Sequence, residues 1–344
     1  MMRVEARDAL PDLPAQGFEL GAAWFGAVAA AALPAGARAE FLTAVGADGA
    51  PRVVLPLQRH ADGRREGLTA PYTTRFRPLA AADATAQELR AAGRAFARAC
   101  RTAGPLRLDA LEEAWPGLAP LLAGFRDGGM WPVRFAHFGN WHLDVAGLGW
   151  DAYLAARPGA LRNTIRRRLA QAARDPALGV AILGGGAELD AGIASYKAVY
   201  ARSWKEPEPY PRFAAALMRA AAGVGALRLG LMRAAGDVIA AQLWVVADGV
   251  ATVHKLAHDE QARALSPGTV LSARMIRHLL DEERVAMLDF GRGDDAYKAG
   301  WTGTRQQRIG VLLCPPWHIA GARALACHAA GRVRARLAAR LKTA

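Results

Sequence analysis

The stretch from Leu227 to His258 constrains this chain more than any other. LRLGLMRA, DVIAAQLWVVAD and GVATVHKLAHD are strand-like runs, joined at Gly236-Asp237 and Asp248-Gly249, where residues that tolerate positive φ favour tight hairpin turns. Three such runs form an antiparallel meander. Around it the period changes to that of helices. LRNTIRRRLAQAARDP sets Leu161, Ile165 and Leu169 four residues apart and stops at Pro176. ELDAGIASYKAVYARSW supplies a second helix before a loop holding Pro207, Pro209 and Pro211. After the meander, Ser266-Pro267-Gly268 precedes TVLSARMIRHLLDEE, in which Val270, Leu271, Met275, Leu279 and Leu280 share one side, and VAMLDF and RIGVLLC read as strands. Helix, helix, three antiparallel strands, helix, strand, strand is the string of an α+β domain.

The first half repeats this alternation. An alanine-rich helical stretch at 22–32 is followed by AEFLTAVGADGAPRVVLPLQ, a hairpin around Asp48-Gly49, and by ATAQELRAAGRAFARAC at 84–100, whose Leu89 and Phe96 suit a helix leaning on a sheet. Short strands follow near 105–109 and 133–145. A length of 344 residues is about twice that of a usual domain. We therefore expect an N-terminal domain over 1–145, a second over 146–317, and a basic C-terminal helix over 318–344.

Composition narrows the function classes. With 52% hydrophobic and 22% charged residues, a packed core is expected and disorder is not. The apolar run Ala22 to Leu33 is about a dozen residues, against roughly twenty for a bilayer span, and Glu5, Asp8 and Asp12 stand where a secretory leader would be basic. A cytoplasmic protein is expected. Cys100, Cys314 and Cys327 form no CxxC pair, so neither a disulfide framework nor a metal site is expected. The net charge of +13 is concentrated: residues 318–344 hold six basic and no acidic side chains. Arginine outnumbers lysine 39 to 5, a coding bias more than a phosphate-binding surface, and no DNA partner is expected. The tail reads as a basic amphipathic helix with Ala326, Ala330, Val333 and Leu337 in one stripe, suited to peripheral contact with an anionic membrane, packing on the second domain being the competing use.

Several segments, in order, carry a family resemblance. DFGRGDDAYKAGW at 289–301 is the most specific, supported by WDAYLAARPGALRNTIRRRL at 150–169, VYARSWK at 199–205, IAAQLWV at 239–245, SPGTVL at 266–271, and VLPLQ and APYTTRFRPL in the first half. The chain resembles the FemAB-like acyltransferases of the GNAT superfamily, including CelD and BioF2-like proteins, over roughly residues 20–315. The resemblance implies tandem GNAT-like domains, each a mostly antiparallel twisted sheet flanked by helices. It implies N-acyl transfer, with acetyl-CoA or another acyl-CoA as donor and a small-molecule or glycan-precursor amine of the cell envelope or polysaccharide class as acceptor. Two alternatives stand beside it. One is FemAB-like transfer from aminoacyl-tRNA, although no long heptad segment supplies that branch's coiled-coil arm. The other is a non-catalytic partner in exopolysaccharide assembly.

The resemblance places the reaction where the fourth and fifth strands of the second domain part, with the donor pyrophosphate on Ser266, Pro267, Gly268, Thr269 and Val270 at the start of the following helix. That loop has one glycine where backbone must approach phosphate closely, so weak donor binding is expected. Lys298 is expected at the cleft mouth to stabilise an oxyanion or hold a phosphate, with Asp294 or Asp295 orienting it or accepting the amine proton; a surface ion pair among turn residues is the plain alternative. His254 is a candidate base, or a core histidine. His254 and Lys255 point to opposite sheet faces unless a bulge intervenes. Trp204, Lys205 and Tyr210, with Tyr297, shape the acceptor pocket or pack beneath their loop. Arg162 and Arg166 grip an anionic acceptor or line a solvated helix face.

Overall fold

Paired left-handed residues mark each tight turn of the meander: Ala235 and Gly236 at φ 48° and 93°, Asp248 and Gly249 at 49° and 73°. Such turns match the twist of the strands they join. The first turn therefore falls at Ala235-Gly236, one residue earlier than expected, and Asp237 opens the next strand.

The computed structural model describes residues 2–13 and 16–342. The order is β1 (Arg3–Arg7), α1 (Ala22–Ala31), β2 (Arg38–Val45), β3 (Pro51–Arg59), β4 (Arg65–Gly67), β5 (Leu79–Ala80), α2 (Ala86–Cys100), β6 (Leu106–Glu112), α3 (Leu118–Asp127) and β7 (Trp131–Asp144). It continues with α4 (Trp150–Ala155), α5 (Gly159–Arg174), β8 (Leu178–Leu183), α6 (Leu189–Ala201), α7 (Phe213–Gly223), β9 (Leu227–Ala234), β10 (Asp237–Ala247), β11 (Val250–His258) and α8 (Pro267–Asp281). The last elements are β12 (Met287–Arg292), α9 (Ala296–Trp301), β13 (Thr304–Cys314) and α10 (Ile319–Lys342). The class is mixed α and β, with mostly antiparallel pairing between flanking helices. Among the described residues no helix is long and apolar enough to cross a membrane. The proposed tail stripe falls partly on Val333 and Leu337, which lie outside the residues described at side-chain level.

The chain packs into two units whose boundaries differ from those expected. Unit 1 comprises Met1–Gln16, Leu33–Phe138 and Gln307–Ala344; unit 2 comprises Gly17–Ala32 and Gly139–Gln306. The helix at 22–31 thus belongs with the second unit, and the residues from 307 onward with the first.

In unit 1, β1, β2 and β3 run antiparallel, β4 pairs antiparallel with β3, and β6 pairs parallel with β4 at Glu66↔Arg107 and antiparallel with β13. Thr85 and Glu88 close a capping box that starts α2. Helices α2 and α3 cross closely because Gly93 faces the Leu121 carbonyl and Gly124 the Arg90 carbonyl, where a Cβ would collide.

In unit 2, β8, β9, β10 and β11 run antiparallel, β12 pairs parallel with β11, and the end of β7 pairs antiparallel with β12. One core, with Tyr153, Ile165, Trp244, Val253, Ile276, Leu279 and Phe290 buried in it, joins this sheet to α4, α5 and α8. Another set of rings involves α1 and α7: Trp24 meets Phe213 edge-on at 5.7 Å and the His254 ring at 5.4 Å. Burial of such aromatic faces adds to the driving force for folding here.

Candidate functional site

The parallel ladder between β11 and β12 has three pairs, Val250↔Met287, Ala251↔Leu288 and Thr252↔Asp289. Beyond them the strands part. On the β11 side the register with β10 slips between Leu243↔Lys255 and Trp244↔Val253, so His254 is the extra residue of a bulge. On the β12 side Asp289, buried, accepts the Gly291 N–H at 2.7 Å and the Asn140 amide at 2.6 Å, while Gln306 donates to the Asn140 carbonyl oxygen at 2.6 Å. Gly291 at φ 65° then turns the chain away, a bend closed to most side chains. Two irregular strands, each fixed by named residues, thus hold a gap open.

Polar side chains gather beside the gap. Lys255 donates to Glu208 Oε1 at 2.6 Å, tying β11 to the proline-rich loop after α6. Lys205 lies half-buried in that loop over the Trp204 ring, its Nζ 5.5 Å from the centroid. Burial, then the neighbouring Lys255 charge, lowers its pKa; Asp295 and Glu208 oppose the shift and Lys298 adds to it. Trp204 in turn stacks obliquely on His258 at 4.4 Å. Burial holds the His258 pKa below the usual imidazole range, helped by Arg263, and its Nδ1 has no hydrogen-bond partner among the described residues. An imidazole so placed is neutral near pH 7.

Lys298 is not at a solvent-exposed mouth. It is 4% exposed, and its Nζ donates to the Arg292 carbonyl at 2.7 Å and lies 3.0 Å from Asp295. Its ammonium binds the loop between β12 and α9 together. Asp294 faces away from it: Arg305 makes a two-point contact at 2.6 and 2.7 Å and Trp141 donates at 3.2 Å. The Arg305 guanidinium holds that carboxyl below the usual carboxylate range, which makes it a weak proton acceptor. His254 points toward α1, its Nε2 3.4 Å from Glu19, with a side chain only 2% exposed. Of the expected residues, Trp204, Lys205, Lys298 and the aspartate Asp295 come together, and Tyr297, 44% exposed, follows Asp295 on α9. Tyr210 is partly buried further along the proline-rich loop. Arg162 caps the Ala155 carbonyl at 2.8 Å and Arg166 is solvent-exposed on α5.

Sequence reasoning weighed Lys255 only as the opposite-facing neighbour of His254, and missed Glu208 and His258 as members of this group. Glu208 had a readable signal, an acid among prolines on the same loop as Lys205. His258 had a weaker one, a polar residue closing the strand VATVHKLAH.

The start of α8 offers little to a pyrophosphate. Pro267 has no N–H, Thr269 and Val270 already donate to the Ser266 carbonyl at 3.0 and 3.1 Å, and the Gly268 carbonyl accepts from Gln242. No cluster of three or more His, Cys, Asp or Glu suited to a metal occurs among the described residues.

Residues 159–299 match the family described as an acetyltransferase (GNAT) domain. In structure the chain is similar to FemX, with a TM-score of 0.58 at 12% identity over 85% of this chain and 91% of that one. It is similar to a domain described as the C-terminal part of a lysylphosphatidylglycerol synthetase from Agrobacterium fabrum, at 0.53 and 14% over 79% and 84%. It is also similar to L-PGS from Bacillus licheniformis, at 0.50 and 11% over 82% and 85%. At such identities the likeness is one of fold. In sequence no curated protein matches significantly.

Proposed function

We propose that the chain, whose residues 159–299 match the acetyltransferase (GNAT) domain family, transfers an acyl group onto an amine in the gap between β11 and β12. The observation that carries this reading is the three-pair ladder that ends at Thr252↔Asp289 beside a bulge at His254. A flat acyl carbonyl fits between two parting strands, and backbone released from a ladder by a bulge is placed to polarise it.

The amine attacks the acyl carbon and the leaving group departs as the tetrahedral intermediate collapses. The proton shed by the amine needs an acceptor that is unprotonated at neutral pH. His258, neutral and next to Trp204 and Lys205, fills that role better than Asp294, which is committed to Arg305, or His254, which faces α1. Lys298 then acts by position, holding the loop that forms the β12 side of the gap.

The donor is an acyl-CoA, acetyl-CoA the first choice, bound weakly because the first turn of α8 has few N–H groups to give. That same feature favours a second reading, a donor without a pyrophosphate at this point, such as an aminoacyl ester of tRNA. The acceptor is a small-molecule or glycan-precursor amine, and the reaction is cytoplasmic. Incubating the purified chain with acetyl-CoA or with aminoacyl-tRNA and a panel of amines, and following acyl loss from the donor, tests this. Transfer from neither donor to any amine would end the acyl-transfer reading.

A further inference from the structure

A pocket of about 600 Å³ lies between α6 and the loop that follows it. Its wall is apolar, with Tyr196, Tyr200, Pro207 and Pro211. Its charge is one-sided. Lys197, Lys205 and Arg212 border it, and among the described residues none of them is within 4 Å of a carboxylate. The single acid there, Glu208, is already bonded to Lys255 at 2.6 Å. Lys197 and Arg212 are exposed and keep their water, but Lys205 is half-buried, with only the Trp204 ring and the charges of Asp295 and Glu208, neither within 4 Å, to offset its loss of water. Its lowered pKa reflects the same imbalance. An anion within hydrogen-bond reach stabilises such a group further.

We propose that this pocket selects an acceptor amine that carries an oxyanion group, phosphate or carboxylate, on an apolar or ring-shaped body, and that Lys205 binds the oxyanion. The inference rests on the acyl-transfer reading for the word acceptor, while the anion site stands on the pocket itself. The apolar wall covers the body and sets the distance between the anion and the amine offered to the gap.

The experiment uses the full chain at low salt, with phenyl phosphate, benzoate and inorganic phosphate as probes in calorimetric titrations. Phenyl phosphate or benzoate, whichever oxyanion the site prefers, binds about tenfold more tightly than inorganic phosphate because of its ring. Lys205→Met, which keeps the stem and removes the charge, weakens that binding about tenfold or more. In the absence of probe the same variant melts at a higher temperature than the wild type. A lysine with a merely structural role would give the opposite, a lower melting temperature and unchanged affinity, and either result overturns the proposal. So does equal binding of ringed probes and inorganic phosphate. Acyl transfer is measured separately: its absence, with probe binding and its Lys205 dependence intact, removes the acyl-transfer reading alone. Transfer that is present while the wild type binds no probe removes the anion site alone.

Discussion

Both units set a run of antiparallel strands beside one parallel neighbour, and they differ in what happens where that pair ends. In unit 2, β11 runs on for six residues past Thr252 and the gap beside it stays open. In unit 1, β4 is only three residues long, and the chain that follows it returns into the corresponding place. Phe76, 1% exposed, packs its ring against Gly67 at the end of β4, with Leu108 of β6 on the same side, and its backbone bridges in parallel to Leu111. Leu68, Thr73, Thr74 and Leu79 are buried along the same segment. One topology thus occurs twice, filled by its own chain in unit 1 and left open in unit 2.

The largest effect comes from emptying the filled copy. Phe76→Ala removes a fully buried ring and costs about 3–5 kcal/mol of stability in denaturant titration, while turnover per folded molecule stays at the wild-type value. A loss of turnover with the fold intact would mean that unit 1 does more than support.

Next in size, His258→Ala lowers kcat/KM about a hundredfold, equivalent to roughly 2.7 kcal/mol. The pH profile carries the sign. A base must be unprotonated, and burial lowers the pKa of His258, so the acid limb of the wild-type rate has its midpoint below the ordinary imidazole value of about 6.5. The variant lacks that limb. A wild-type profile that falls with a midpoint at or above 6.5 would assign the base elsewhere.

Lys298→Ala follows. Because its ammonium is buried against the Arg292 carbonyl and Asp295, the change costs about 1–3 kcal/mol in stability and widens the gap instead of leaving the fold untouched. An unchanged melting temperature would restore the picture of a surface lysine at the mouth.

The smallest effect is on donor binding. Acetyl-CoA binds with a Kd of tens of micromolar or weaker, roughly 6 kcal/mol, and several-fold more weakly at high salt, since side-chain charges do what few N–H groups at α8 can. Tight, salt-insensitive binding measured by calorimetry would show that the first turn of α8 rearranges to cradle phosphates.

The meander, α5, α6 and α8 were legible in the sequence because their periodicity and turn residues are local properties. Helices α3 and α7 were not. LAPLLAGFRD sits between two strand-like runs, and FAAALMRAAAG follows three prolines, a signal for loop that ends sooner than it looks. Strand β8 hides in ALGVAILGGG, whose glycines read as a turn. For the candidate site, the DFGRGDDAYKAGW segment marks the end of β12, but it could not say which way each side chain points. Asp294 and Lys298 are four residues apart, yet one turns to Arg305 and the other inward. His254 was the reverse case: its bulge was foreseen only as a condition, because a bulge depends on the register of a neighbouring strand, which no local pattern contains.

The interleaving of the units bears on how the polypeptide is made. Unit 2 takes its α1 from a segment made before most of unit 1, and unit 1 receives β13, which closes the free side of β6, from a segment made after unit 2. The core of unit 2 is not complete on the ribosome until Trp301 has left the exit tunnel, nor that of unit 1 until β13 has followed, so unit 1 cannot finish folding before unit 2 has been made. A gene fragment cut at residue 146 would give a nascent product with an unprotected sheet edge and, in the other half, a bare apolar surface around Phe213 where Trp24 belongs.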